Sequence, residues 1–225
     1  MNPLQTRLAT VGLRAVADDG FVLAGGYALR AHGFGERDSD DIDLFTNVLD
    51  PELFAKAVER LSVAYRADGL DVVVARQAPL FARLVVTAED GTTAKADLGV
   101  DHRSHPPVEL AVGPVLSEAD AVSSKVGALY SRLEPRDLMD IQSVLDSGRY
   151  DTDALLTLAD HREATPLDRP MLATQLLAAS HLPPTGFERY GASPDLITRI
   201  CETARSWGEQ LAGDAADPRS KTIDS

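Results

Sequence analysis

FVLAGGYALRAHGFGERDSDDIDLF, residues 21–45 of a 225-residue chain, is the stretch whose reading decides the fold. Its opening apolar run, Phe21–Ala24, has the texture of a buried strand. Gly25 and Gly26 then allow a tight turn into a short helical pattern, Tyr27 to His32. After a polar, glycine-rich turn the chain re-enters a strand in which Asp41 and Asp43 flank Ile42. Alternate residues of a strand share a face, so both carboxylates aim at one point while Ile42 and Leu44 turn to the core. Paired carboxylates repel unless a charge neutralises them, and a hard divalent cation with oxygen ligands does so. Asp41 and Asp43 are therefore the candidate metal pair. The side-chain-free turn at Gly25–Gly26, set at a helix start, offers backbone N–H groups to a phosphate. A phosphate cradle upstream of a metal pair is the layout of metal-assisted phosphoryl or nucleotidyl transfer.

The rest of the composition narrows the class. No apolar run approaches the roughly 20 residues of a membrane span, and MNPLQTRLATVGLRAV lacks the layout of a signal peptide. The expected compartment is the cytoplasm. A single cysteine, Cys201, excludes an internal disulfide framework and a cysteine-rich zinc site. The formal net charge of −13 argues against a general nucleic-acid coat, though not against a local basic track on an acidic body.

Outward from the opening stretch, the pattern predicts an amphipathic helix from Leu4 to Ala17 before it. A second helix is predicted after it, from Asp50–Pro51, with Asp50 as N-cap. Three strands are expected at 70–75, 81–87 and 93–98, the last two joined by the turn Glu89–Asp90–Gly91. A short apolar run lies near 112–116. From Ser117 the texture becomes helical, beginning with the capping-box spacing Ser117…Asp120. The expected fold class is α/β (α+β). An α/β core with a mixed sheet covers residues 1–116, an all-helical C-terminal domain covers 117–213, and residues 214–225 form a disordered tail.

Other candidates sort by chemistry. Asp97, in Lys95–Ala96–Asp97, could complete the carboxylate site as a further metal ligand or as a proton acceptor. Lys95 could touch phosphate or simply balance Asp97. Arg37 offers a fork suited to phosphate, and Ser39 a hydroxyl. An EF-hand over Asp38, Asp40 and Asp43 fails, because its fifth position is Ile42 and its twelfth is Leu49. Lys125 and Arg132 share one face of their helix, and Asp137 stands in the first turn of the next, where a carboxylate complements the helix dipole. Arg136 and Asp140 have the spacing of an ordinary helical ion pair. His102 and His105 have a weak metal spacing and read as loop histidines; His32, His161 and His181 are isolated.

The layout Gly25–Gly26, then Arg37-x-Ser39-x-Asp41-Ile42-Asp43-Leu44-Phe45, resembles the nucleotidyltransferase signature of the DNA polymerase beta superfamily. Lys125-x-x-Ala128-Leu129-x-x-Arg132 followed by Arg136-Asp137-x-x-Asp140 resembles, more closely, the AbiEii-type toxins of type IV toxin–antitoxin systems. That resemblance implies a nucleotidyltransferase core and a Mg²⁺-dependent transfer (Mn²⁺ as the substitute) of a nucleotide from an NTP, with release of pyrophosphate. It implies an RNA 3′ end as acceptor, the tRNA acceptor end above all, and so a block on translation and growth. A cognate antitoxin encoded nearby is the implied partner. By position, Gly26 and Ser39 would hold triphosphate oxygens, and Asp41 and Asp43 the metal. Lys125 would meet the triphosphate, and Asp137 would fix Lys125 or the helix start. The superfamily often has serine after the two glycines; here Tyr27 stands there. Two other readings stay open, a nucleotidyltransferase for a small hydroxyl compound and a non-catalytic nucleotide-binding regulator. A basic track of Arg30, Arg37, Lys125, Arg132 and Arg136 would favour RNA.

Overall fold

The computed structural model describes residues 1–162 and 165–216. Their contacts divide into two units, Met1–Ala121 and Val122–Ser225.

The first unit is built on a mixed sheet. Helix α1 (Pro3–Ala15) starts at a capping box: the Asn2 side chain accepts from the Gln5 N–H, and the Gln5 side chain accepts from the Asn2 N–H. Pro3 supplies a pre-set φ at the first helical position. Strand β1 is only Val22–Leu23, and α2 (Gly25–Ala31) follows at once. Strand β2 (Asp41–Thr46) leads to α3 (Pro51–Ala67), where Asp50 caps by accepting from the Glu52 and Leu53 N–H groups. Tyr65 of α3 is wholly buried and donates to the Leu8 carbonyl of α1 at 2.9 Å. Burial pushes its phenol well above the usual value.

Strands β3 (Asp71–Ala78), β4 (Phe81–Thr87) and β5 (Thr93–Val100) form a meander. Its second turn places Gly91 at φ 83° and lets Asp90 accept from the Thr92 N–H. Strands β6 (Val108–Leu110) and β7 (Gly113–Val115) close the sheet as a short hairpin. The order among the described residues is β3-β4-β5-β2-β1-β7-β6. Pairing is parallel at β2–β5 and β1–β7, antiparallel elsewhere. The inner face carries Leu23, Ile42, Leu44, Leu84, Ala96 and Leu98, all fully buried.

Helix α4 (Glu118–Arg132) begins in the first unit, so the contact divide falls inside it rather than at 116/117. Its start is as the spacing predicts: the Asp120 N–H donates to Ser117 Oγ at 3.1 Å, and Ser117 Oγ donates back to Asp120 at 2.8 Å. Asp120 also accepts from the N–H groups of Ser104 and His105, which fastens the histidine loop.

The second unit is helical: α5 (Pro135–Asp146), α6 (Thr152–Arg162), α7 (Arg169–Ala179), the single turn α8 (Thr185–Glu188) and α9 (Pro194–Ala216). Leu129, Leu138, Ile141, Leu172, Leu176, Ile200 and Trp207 are buried in it. Residues 214–216 of the tail expected over 214–225 belong instead to α9, which continues to Ala216. Ala215 and Ala216 suit that continuation, alanine being the strongest helix former. Residues 217–225 lie outside the described residues. Among the described residues no helix is long and apolar enough to cross a membrane.

Candidate active site

Strand β2 puts its side chains alternately in and out. Ile42 and Leu44 are fully buried, and Asp41 and Asp43 emerge half-buried on the other face. Parallel pairing with β5 sets Asp43 beside Asp97 and Asp41 beside Lys95. The three aspartates each offer a carboxylate oxygen, and these oxygens all lie within 4.8 Å of one another. Such a donor set is all oxygen and all anionic, which fits a hard divalent cation. Lys95 shares the face of Asp97 but is exposed.

The third carboxylate already has a partner that the sequence did not reveal. Arg83 of β4 lies opposite Asp97 in the antiparallel register. Its Nε donates to Asp97 Oδ1 at 2.7 Å and its Nη2 to Oδ2 at 2.5 Å, a two-pronged pair. The same Nη2 is 3.6 Å from Asp41 Oδ2. The hydrogen bond to Asp97 raises the arginine's pKa above its usual value; burial opposes this, and the charges of Asp97, Asp41 and Asp43 add to it.

The glycines press on the same group of atoms. Gly25 sits at φ 61°, and a Cβ there would lie 1.8 Å from Asp43 Oδ2. Both the backbone sign and the Asp43 carboxylate therefore demand glycine. A Cβ on Gly26 would lie 3.2 Å from Arg37 Nη2 and 3.4 Å from Ser39 Oγ, so both predicted phosphate contacts stand over the start of α2. Ser39 Oγ is also 3.4 Å from Asp41 Oδ1. Gly25, Gly26, Arg37, Ser39, Asp41, Asp43 and Asp97 are thus brought together in the first unit.

Tyr27, which follows the two glycines, is turned into the core. It is 1% exposed, and its hydroxyl is shared between Gln5 Oε1 at 2.5 Å and the Ser39 carbonyl at 3.2 Å. Gln5 Nε2 donates to the same carbonyl at 2.8 Å. Burial, followed by the Asp38 charge, raises the tyrosine's pKa. Tyr27 and Gln5 thus clamp the backbone that presents Ser39 and Asp41. Gln5 reads in sequence only as a helix-start residue.

A second polar cluster stands in the helical unit. Asp137 opens α5 and is fully buried, and it accepts from Arg132 Nε at 2.8 Å and Nη2 at 2.7 Å. Burial works to raise its pKa, but the Arg132 hydrogen bonds and the charges of Lys125, Arg132 and Arg136 prevail and lower it. The carboxylate that grips Lys125 is Asp140, at 2.8 Å, both side chains being buried. The expectation that Asp137 fixes Lys125 is corrected to that extent. The turn between the helices passes through Leu133 at φ 50°, which aims Asp137 back at the end of α4 and leaves Lys125 to the next turn of α5. Of the predicted basic track, Arg30 pairs with Asp38 and Arg136 with Glu134. Among the described residues the His102–His105 loop meets no third ligand, and His32 meets the Leu116 carbonyl at 2.8 Å.

Residues 8–192 match the family model described as nucleotidyl transferase AbiEii toxin, type IV toxin–antitoxin system. The fold is similar to that of MenT4, a nucleotidyltransferase toxin from Mycobacterium tuberculosis H37Rv. The TM-score is 0.66 at 20% identity, over 97% of this chain and 85% of that one. It is also similar to JHP933 from Helicobacter pylori, with a TM-score of 0.51 at 15% identity, over 94% of this chain and 91% of that one. No curated protein matches the chain.

Proposed function

Because the chain belongs to the AbiEii nucleotidyl transferase toxin family of type IV toxin–antitoxin systems, we propose that it transfers a nucleoside monophosphate from an NTP to an RNA 3′-hydroxyl, the tRNA acceptor end being the expected target. The observation that carries the reading is the convergence of Asp41, Asp43 and Asp97 beside the Gly25–Gly26 turn.

The three aspartates would hold a divalent cation, Mg²⁺ or Mn²⁺, which supplies positive charge at the reacting phosphate. The backbone N–H groups of Gly25 and Gly26, the Ser39 hydroxyl and the Arg37 fork hold the phosphate oxygens and orient the chain of the triphosphate. By the family motif Lys125, whose ammonium is held by Asp140, would be the residue to offset charge on the leaving pyrophosphate. Asp137 sets the start of α5 by fixing Arg132. In the transfer the 3′-oxygen forms a bond to the α-phosphorus and the bond to the β-phosphate oxygen breaks. The hydroxyl proton passes to Asp97 or to water. Loss of the acceptor 3′-hydroxyl from tRNA would stop translation, and an antitoxin partner is implied by the family.

A small hydroxyl compound is the second reading for the acceptor. It is favoured by the neutralisation of the expected basic track: Arg30, Lys125, Arg132 and Arg136 all face carboxylates. One assay separates the two. Folded protein is incubated with Mg²⁺, total tRNA and each of the four α-labelled NTPs. Label in tRNA that disappears with Asp41→Asn supports the RNA acceptor. Absence of label from RNA with all four nucleotides counts against it.

A further inference from the structure

Arg83 makes a strong contact with the carboxylate cluster that the reaction as written does not use. Its fork takes both oxygens of Asp97, and its Nη2 reaches toward Asp41. A cation coordinating Asp97 needs a lone pair on one of those same oxygens, and it would sit beside a fixed positive charge. The two partners differ in freedom. The Asp97 side chain is 7% exposed and fixed on β5 between two paired strands, whereas that of Arg83 is 39% exposed. The arginine is the member with room to leave.

We propose that Arg83 is a built-in counter-cation that competes with the divalent ion for Asp97 and so orders assembly of the site. Asp41 and Asp43 form the entry pair. Asp97 joins them only once Arg83 lets go, and the departing guanidinium is matched to a phosphate oxygen of the arriving nucleotide. Metal and nucleotide are thereby coupled: neither completes the site well without the other. This rests on the nucleotidyltransferase reading of the same three carboxylates.

The test is Mn²⁺ binding, followed by the electron-spin resonance of free Mn²⁺, to folded protein with and without a non-hydrolysable NTP. Without nucleotide, Arg83→Gln is expected to bind Mn²⁺ about tenfold more tightly than the wild type, since a cation leaves the site. Arg83→Lys keeps the charge but loses the fork, and about threefold is expected. It also serves if the glutamine variant fails to fold. Adding nucleotide should tighten the wild type more than either variant. In an Asp97→Asn background the gain from Arg83→Gln should vanish. Unchanged or weaker Mn²⁺ binding in both Arg83 variants overturns the proposal, as does a gain that persists without Asp97. If Asp41→Asn binds Mn²⁺ as the wild type does, the metal site itself is misplaced and both readings fall. If Asp41→Asn abolishes binding and the Arg83 variants change nothing, only the role of Arg83 is lost.

Discussion

Gly25→Ala tests the geometry of the site more sharply than removal of a carboxylate does. Two costs are built into the position. The backbone stands at φ 61°, where an alanine costs about 1–2 kcal/mol. The new methyl would also lie 1.8 Å from Asp43 Oδ2, against the 3.0 Å below which real Cβ atoms are essentially never found. The carboxylate must therefore retreat by about 1.2 Å, and a displacement near 1 Å at a reacting centre costs about 100-fold in rate. Gly33 supplies the control, because it too has positive φ (82°) but a Cβ there meets nothing within 4 Å. Both alanine variants should lose about 1–2 kcal/mol of stability in urea unfolding. Only Gly25→Ala should also lose about 100-fold in NTP-dependent labelling and bind Mn²⁺ more weakly. Labelling by Gly25→Ala within a factor of about three of Gly33→Ala would refute the claim that the glycine exists to admit Asp43.

Other expectations follow from the same geometry. Asp41→Asn should reduce labelling by at least about 100-fold while leaving the melting temperature unchanged or raised, since it relieves repulsion among three carboxylates; a large fall in melting temperature would contradict this. Tyr27→Phe removes the hydroxyl shared between Gln5 and the Ser39 carbonyl and should cost about 1–2 kcal/mol. Combined with Gln5→Ala it should cost more than the sum in a double-mutant cycle, because the two side chains hold one carbonyl. Arg132→Ala leaves Asp137 charged, buried and without its two-pronged donor. A loss of about 3 kcal/mol is expected, at the low end because Arg132 is 43% exposed. The folded-state pKa of Asp137 is depressed, so its contribution is present above the ordinary value of 3.8 and is lost as pH falls below it. Replacing Asp137 with Asn should flatten that acid limb of the stability curve.

The convergence of Asp41 and Asp43 was legible because its cause is local: Asp-Ile-Asp on any strand sends both carboxylates to one side. Asp97 was legible as a candidate but not as a neighbour, because its place beside Asp43 depends on a parallel register between strands far apart in sequence. Arg83 gave no signal for the same reason. Within Phe-Ala-Arg-Leu-Val-Val-Thr it is an ordinary outward residue of an amphipathic strand, and only the β4–β5 register gives it Asp97. Tyr27 could not be read because a tyrosine at the start of a short helix has two directions open to it, and Gln5, on another element, decides between them. The helical cluster was half legible. The motif drew these residues together, but helix spacing fixes partners only within one helix, and α4 meets α5 across a turn through Leu133. Asp137 therefore took Arg132, and Asp140 took Lys125.

Strand β2 lies fourth of seven in the sheet order among the described residues, paired along its length with β5 and at Leu44 and Phe45 with β1. The amides of Leu44 and Phe45, held between two neighbours, should be among the slowest in the chain to exchange hydrogen. Asp43 adjoins that slowest part directly. Fraying of a terminus or a loop should therefore leave the carboxylates of the site in place.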